Sequence, residues 1–356
     1  MCPYSLTIPG GVQMQVLALA AELRSRGHEA RVLGPCDGPP PQSFVTPLGN
    51  SLPLAANGSI APLAPDPPAA MRTIRALTDE DFDVLHVHEP LVPGPALTTV
   101  LVHPAPIVAT FHAAGRSTSY RVFKPLLTQV IKRIDHKVAV SKDAKALAQS
   151  HLGGDYEVLF NGVDIGRIQE VAPRPTTVPT IFFCGRHEER KGLRTLIDAM
   201  RRLDTDVELW IGSDGPDTEA LRAATAGDER VRWLGRITEA DKFARLRGAD
   251  VFCAPSLGGE SFGVVLIEAM AAGTTVVATA LDGYRNVATD GVDALLTEPG
   301  DVEALAGALR RALTDGELVA SLRARGSERA TDFAMSTLAD RYVAIYRDLV
   351  ADRPVH

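Results

Sequence analysis

Four short segments of this 356-residue chain combine glycines, charges and hydrogen-bonding side chains at spacings that suit an anion. The most specific is ESFGVVLIEAM, residues 260–270. Ser261, Phe262, Gly263, Val264 and Val265 form a strand-to-helix turn whose backbone N–H groups face a negative charge. Glu260 and Glu268 put a carboxylate at either end of that turn, so phosphate goes to the helix end while the carboxylates accept from hydroxyls of a sugar and a ribose. A solvated charged face would not open on glycines and then run apolar. The second segment, GRHEERKG at 185–192, offers Arg186 as a planar fork and Lys191 as a point charge to one pyrophosphate. Taken alone, it also reads as a solvated charge run. In the third, Pro9-Gly10-Gly11 precedes a helix, where glycine lets a ligand approach the backbone, a tight turn being the plainer reading. The fourth, ATFHAAG, sets His112 just past a strand.

In open α/β sheets ligands bind beyond the carboxyl ends of the strands, and the flanking elements fit that scheme. Val12, Val16, Leu17, Leu19, Ala20 and Leu23 recur at helical spacing and stop at Gly27, ahead of the apolar run ARVLGP. DVLHVH, APIVATFH, a long segment from about Tyr120 to Ile134, HKVAVS and YEVLFNGVD continue the alternation. VAPRPTTVP at 171–179 interrupts it with a linker's composition. The pattern then restarts with TIFFCGR, a helix near 192–203, VELWIGS, VRWLGR, a helix near 239–248, DVFCAPS, a helix near 264–272 and TVVATAL. This predicts two tandem doubly wound α/β domains, 1–173 and 174–337, with the amphipathic stretch 338–356 returning to the first. The proline-rich stretch 38–68 is given no strand in this reading. A domain of this class opens with a buried apolar strand, whereas here the loop CPYSLTIPGG begins at the second residue; the expectation is a start displaced by about five to eight residues, one strand.

Composition narrows the function. Lys+Arg 37 against Asp+Glu 44 gives a net charge of -7, the opposite balance to that of a general nucleic-acid binder. Up to Pro173 there are 14 basic and 15 acidic residues, against 23 and 29 beyond it, so the negative excess is C-terminal. Four scattered cysteines with no CxxC pair argue for a reducing, cytoplasmic setting without structural zinc. The uncharged stretches 38–65 and 90–115 are broken by prolines, and no signal peptide pattern opens the chain, so membrane contact is expected to be peripheral.

Together, CPYS with PGGVQ, DVLHVHEP, ATFH, FNGVD, GR with RKG, and GGESFGVVLIEAMAAGT resemble the retaining glycosyltransferases of family four, and the resemblance spans nearly the whole chain. Within that family the motifs are similar to those of the actinobacterial phosphatidyl-myo-inositol mannosyltransferases. The resemblance implies a GT-B fold, two Rossmann-like domains facing across a cleft. It also implies transfer of mannose from GDP-mannose to the inositol of phosphatidyl-myo-inositol, no tightly bound cofactor, Mg2+ at most as a stimulant, and peripheral contact with the cytoplasmic face of an anionic membrane. On this basis Arg186 and Lys191 neutralise the donor pyrophosphate, Gly11 approaches it from the first domain, and Glu260 holds the hexose. Phe262 to Val265 contribute backbone contacts and Glu268 grips the ribose. Ile237, Thr238, Glu239 and Lys242 surround the base, where a carboxylate at Glu239 accepts from guanine N1 and N2 and favours GDP over UDP. His112 lines the reacting centre, and Tyr4, Gln13, Asn57 and Arg190 match acceptor-side positions.

The sequence departs from the lipid-acting members in three places. PAAMRTIRALTDEDFD carries only Arg72 and Arg75 before four acids, where those members have a basic amphipathic helix. Ala56 and Pro62 stand where a tyrosine and an arginine are expected, and Ala113 replaces a threonine. The run 116–145 instead holds eight basic residues against two acids. These departures leave open another sugar nucleotide with a soluble or different lipid acceptor and, more remotely, a sugar-nucleotide epimerase or a non-catalytic homologue. No metal site is expected: Asp81-Phe82-Asp83 and Asp204-Thr205-Asp206 precede strands at their solvent ends, and His86, His88 and Glu89 read as strand-end residues.

Overall fold

The computed structural model describes residues 1–56, 59–113, 124–204, 206–260 and 262–351. Two compact units divide the chain, one made of Met1–Gly162 with Met335–His356 and the other of Val163–Ala334.

In the first unit, α1 (Gly11–Ser25) leads into two parallel strands, β1 (Val32–Gly34) and β2 (Val45–Pro47). An antiparallel pair, β3 (Leu52–Ala56) and β4 (Ser59–Leu63), then occupies the proline-rich stretch where sequence reasoning places no strand. Pro53 faces Pro62 across this pair, and a two-stranded sheet has outer edges that tolerate a missing N–H. Next come α2 (Pro67–Asp79), N-capped by the Asp66 carboxylate, β5 (Leu85–His88), α3 (Pro95–Val102), β6 (Ile107–Phe111) and α4 (Lys124–Ile131). β7 (His136–Ala139), α5 (Lys142–Leu152), N-capped by Ser141, and β8 (Glu157–Val158) complete the series. β5 to β8 form a parallel sheet in that order. The C-terminal helix (Met335–Ala351) packs Leu338, Ala339 and Tyr342 with Leu19 and Leu23 of α1 and with Val108 and Val138 of the sheet. Arg26 ties the two helices, reaching Asp340 and the Ser336 carbonyl.

The second unit runs α6 (Ile165–Glu170), β9 (Thr180–Cys184), α7 (Leu193–Met200), β10 (Glu208–Gly212), α8 (Thr218–Ala224), β11 (Val231–Gly235), α9 (Glu239–Gly248), β12 (Val251–Ala254), α10 (Val264–Ala271), β13 (Thr275–Thr279), α11 (Asp282–Arg285), β14 (Leu295–Thr297), α12 (Val302–Thr314) and α13 (Gly316–Thr331). Its six strands are all parallel, in the order β11-β10-β9-β12-β13-β14. TIFFC, VFCA and TVVAT read as continuous apolar runs because helices cover both faces of the sheet. The order of connection reverses between β9 and β12, the place where such sheets bind ligands.

The division between units falls at 162/163 rather than after 173. The intervening segment is bound to the second unit: the Arg174 N–H donates to the Ala244 carbonyl, and the Arg247 guanidinium donates to the carbonyls of Gln169 and Val171.

Candidate functional site

At the reversal point in the second unit, the loop after β9 and the loop after β12 are joined. The Leu257 N–H donates to the Arg190 carbonyl at 2.7 Å. Gly192 adopts φ +67°, and a Cβ there would lie 1.9 Å from the Pro255 carbonyl oxygen, so only glycine lets the loops approach this closely. Side chains complete the junction. Lys191 Nζ lies 2.5 Å from Glu260 Oε1, and Arg190 is 3.6 Å from the same oxygen. Glu188 holds Arg186 with one carboxylate oxygen and Arg190 with the other, each at 2.8 Å. Thus Arg186, Arg190 and Lys191 of GRHEERKG and Glu260 of ESFGVVLIEAM form one network. It carries three cations and two carboxylates, a local excess of positive charge.

Behind Glu260 stands a chain that sequence reasoning misses. Ser256 Oγ donates to Glu260 Oε1 at 3.1 Å and lies 3.0 Å from the Tyr284 hydroxyl. Burial raises the Tyr284 pKa, so this hydroxyl stays protonated. Gly263, the N-cap of α10, has φ +99°, and a Cβ there would press within 2.8 Å of the Tyr284 ring. Phe262 is buried with its ring against Phe333, which leaves backbone groups as its contribution to the turn. Val264 and Val265 open α10 and are half-buried.

A second pair lies on neighbouring helices: Lys242 of α9 contacts Glu268 of α10 at 2.7 Å, both almost wholly covered. Cys184 at the end of β9 is close enough to feel both charges, and burial pushes its thiol up to about 11. Thr238 caps α9 by accepting from the Asp241 N–H, which sets Glu239 at the helix start, 2.6 Å from Arg167. Ile237 packs over Gly212 at the end of β10.

In the first unit, β5 and β6 bring His112 into a row with the buried His88 and the half-buried His86. His112 Nε2 is 2.9 Å from His88 Nδ1, and His88 stacks on His86 with ring centroids 4.3 Å apart. His86 bonds the Tyr346 hydroxyl and Thr110 Oγ1, and Thr110 in turn meets the Tyr342 hydroxyl. Glu89, at φ +45°, accepts the N–H groups of both His112 and Ala113, at 2.6 and 2.7 Å. The strand-end reading of His86, His88 and Glu89 therefore misses the contacts of His88 and Glu89 with His112, which need the β5–β6 register to become visible.

Burial holds His112 at a pKa of about 3, against 6.5 for a free imidazole, and lowers His86 and His88 as well. Between pH 6.5 and 3 the unfolded chain binds protons that the folded one does not. Stability is accordingly full above pH 6.5 and falls as the pH drops, by about 1.4 kcal/mol per unit for each such imidazole. Unfolding midpoints between pH 7.5 and 5 are expected to fall less steeply in His112→Gln than in the wild type; equal slopes would mean that His112 is protonated in the folded state.

The other first-unit candidates serve the backbone. Gln13 Nε2 donates to the Ser5 and Ile8 carbonyls and braces the loop before α1. Gly11 opens that helix, with open space where a Cβ would be. Tyr4 bridges Leu63, and burial beside Glu89 raises its pKa. Asn57 and Ser261 lie outside the described residues. Among the described residues no group of three His, Cys, Asp or Glu is arranged to hold a metal ion.

A six-stranded parallel sheet with charged, glycine-bearing loops at its reversal point, preceded in the chain by a second α/β unit, is the architecture of the GT-B glycosyltransferases. The Glycosyltransferase Family 4 profile matches residues 9–167, and the profile for glycosyl transferases group 1 matches residues 178–315. The chain belongs to this family. It is 41% identical to a phosphatidyl-myo-inositol mannosyltransferase of Mycobacterium leprae, covering 97% of this chain and 95% of the relative. It is 32% identical to the one from Propionibacterium freudenreichii, covering 97% and 93%. Among solved structures, the Anabaena protein HepE in complex with UDP and glucose matches with a TM-score of 0.76 at 20% identity over 98% of both chains. A glycosyltransferase from Rickettsia africae matches with the same TM-score at 19% identity, over 97% of this chain and 96% of that one. These two share the fold.

Proposed function

We propose that the chain transfers mannose from GDP-mannose to the inositol of phosphatidyl-myo-inositol, with retention at the anomeric carbon. The observation that carries this reading is the Lys191–Glu260 pair at the reversal point, beside Arg186 and the start of α10. In this reaction the nucleotide diphosphate leaves an anomeric carbon that develops oxocarbenium character. Negative charge grows on the leaving group, so Arg186, Lys191 and the α10 N-terminus stabilise the transition state more than the ground state. The acceptor hydroxyl attacks from the face the phosphate leaves, and the departing phosphate takes its proton. Glu260 accepts from the hexose hydroxyls, Glu268 from the ribose, and Glu239 from guanine. The identity to relatives named phosphatidyl-myo-inositol mannosyltransferase supports mannose as the sugar moved and phosphatidyl-myo-inositol as the acceptor.

A peripheral place on the cytoplasmic face of the membrane belongs to the same proposal. Among the described residues no helix is long and apolar enough to cross a membrane. The first unit exposes Leu52, Leu54, Met71 and Ile74, apolar side chains suited to a lipid interface. On α2, Arg72 is bound to the Leu48 carbonyl and Arg75 to Asp79, so this helix offers little free positive charge. Of the basic run, Arg116 and Arg121 lie outside the described residues.

Ala56, Pro62 and Ala113 favour a second reading, a retaining transferase using a UDP- or another GDP-sugar on a soluble or different lipid acceptor. A panel of GDP- and UDP-sugars, each assayed with and without phosphatidylinositol liposomes, separates the two. Mannosylated lipid from GDP-mannose alone is the expected result. Donor hydrolysis without a lipid product would reject the acceptor, and no turnover of GDP-mannose would reject the donor.

A further inference from the structure

In the first unit the parallel pair β1–β2 and the parallel sheet β5–β8 share no strand-to-strand pairing. Between β1 and β5 runs an apolar groove of about 590 Å³. Val16, Leu19 and Leu23 of α1 close one side and Val343 and Tyr346 of the C-terminal helix line it as well, so it has helices to cover an occupant. Met1 and Cys2 lie at its end in the geometry of a parallel strand. The Met1 nitrogen donates to the His86 carbonyl at 2.7 Å, and the His88 N–H donates to the Met1 carbonyl at 3.1 Å. On the other side, the Cys2 N–H donates to the Leu33 carbonyl at 2.9 Å. Backbone alternation turns the N–H groups of Leu33 and His86 toward the groove, one residue back along the same line on each side.

The second unit supplies the comparison. Its order is β11-β10-β9-β12-β13-β14, whereas the first unit reads β2-β1, the groove, then β5-β6-β7-β8. The groove falls where β9, the central strand, stands in the second unit. The Met1 amine is buried there, with its pKa pushed down to about 6, a cost that an uncharged peptide nitrogen at the same position would not carry.

We propose that this groove is a strand-acceptor site and that its occupant is an extended, almost wholly apolar segment of about five or six residues running parallel to β1 and β5 into Met1. Seated there, it joins the two sheets into one. The test is the full chain with six apolar, β-branched residues fused ahead of Met1, compared with the same chain carrying six Gly/Ser residues. The apolar extension is expected to raise Tm by at least about 5 °C over the Gly/Ser extension and to slow amide exchange of Leu33 and His86 at least about tenfold, in a monomer. Equal Tm and exchange in the two chains would overturn the proposal. So would a gain seen only in a dimer, which would mean that the segment pairs between copies instead of filling its own groove. Ala30→Glu, at the groove wall, is expected to abolish the gain in the extended chain; an undiminished gain would also count against it.

Discussion

Lys191→Ala and Arg186→Ala are each expected to lower kcat at least about tenfold, about 1.4 kcal/mol of barrier, at saturating donor. The two substitutions act on one charge but differ structurally. Arg186 is 57% exposed and, among the described residues, pairs with Glu188 alone, so its removal leaves packing untouched. Lys191 is 20% exposed, and its loss leaves Glu260 with Ser256 at 3.1 Å and Arg190 at 3.6 Å. A parallel loss of kcat in both, with circular dichroism unchanged, assigns the effect to the leaving group's charge. Wild-type turnover in either variant rejects that role.

Gly192→Ala has the largest expected effect on stability. A left-handed alanine costs about 1–2 kcal/mol, and forcing the β9 loop away from Pro255 adds roughly 1–3 kcal/mol. For a unit of this size the sum corresponds to a Tm drop of roughly 5–15 °C. Activity should fall with it, since Lys191 and Glu260 come from the two loops being pushed apart. Gly307→Ala is the control: it lies inside α12 with open space around the new methyl, and should leave Tm unchanged or raise it. A Gly192→Ala protein as stable as Gly307→Ala would show that the loops separate without strain.

Local order was legible in the sequence where a residue's role is set by its own neighbours. The run from Glu260 to Glu268 shows a glycine turn followed by an apolar helix, and α10 begins at Val264 as that pattern requires. GRHEERKG showed its cations but not their partners, since nothing in two adjacent glutamates says that Glu188 will bridge Arg186 and Arg190. Ser256 and Tyr284 are 28 residues apart and meet only because β12 and β13 are neighbours. The same holds for His88 and His112, whose contact follows from His88 lying opposite Thr110 in the β5–β6 register. Prolines concealed the β3–β4 pair, because sequence patterns count a missing N–H against a strand, whereas an edge does not need it.

The shared carboxylates at the reversal point have a consequence for turnover. Each cation there already has an anionic partner, so in the proposed reaction a diphosphate entering the loops would displace Glu188 and Glu260 instead of meeting bare charge. Capture is then an exchange of anions with little net change in paired charge, and departure of the spent nucleotide is the same exchange reversed. On the proposed function the two glutamates would compete for the cations that hold the product, and so set how readily the enzyme lets go of it between cycles.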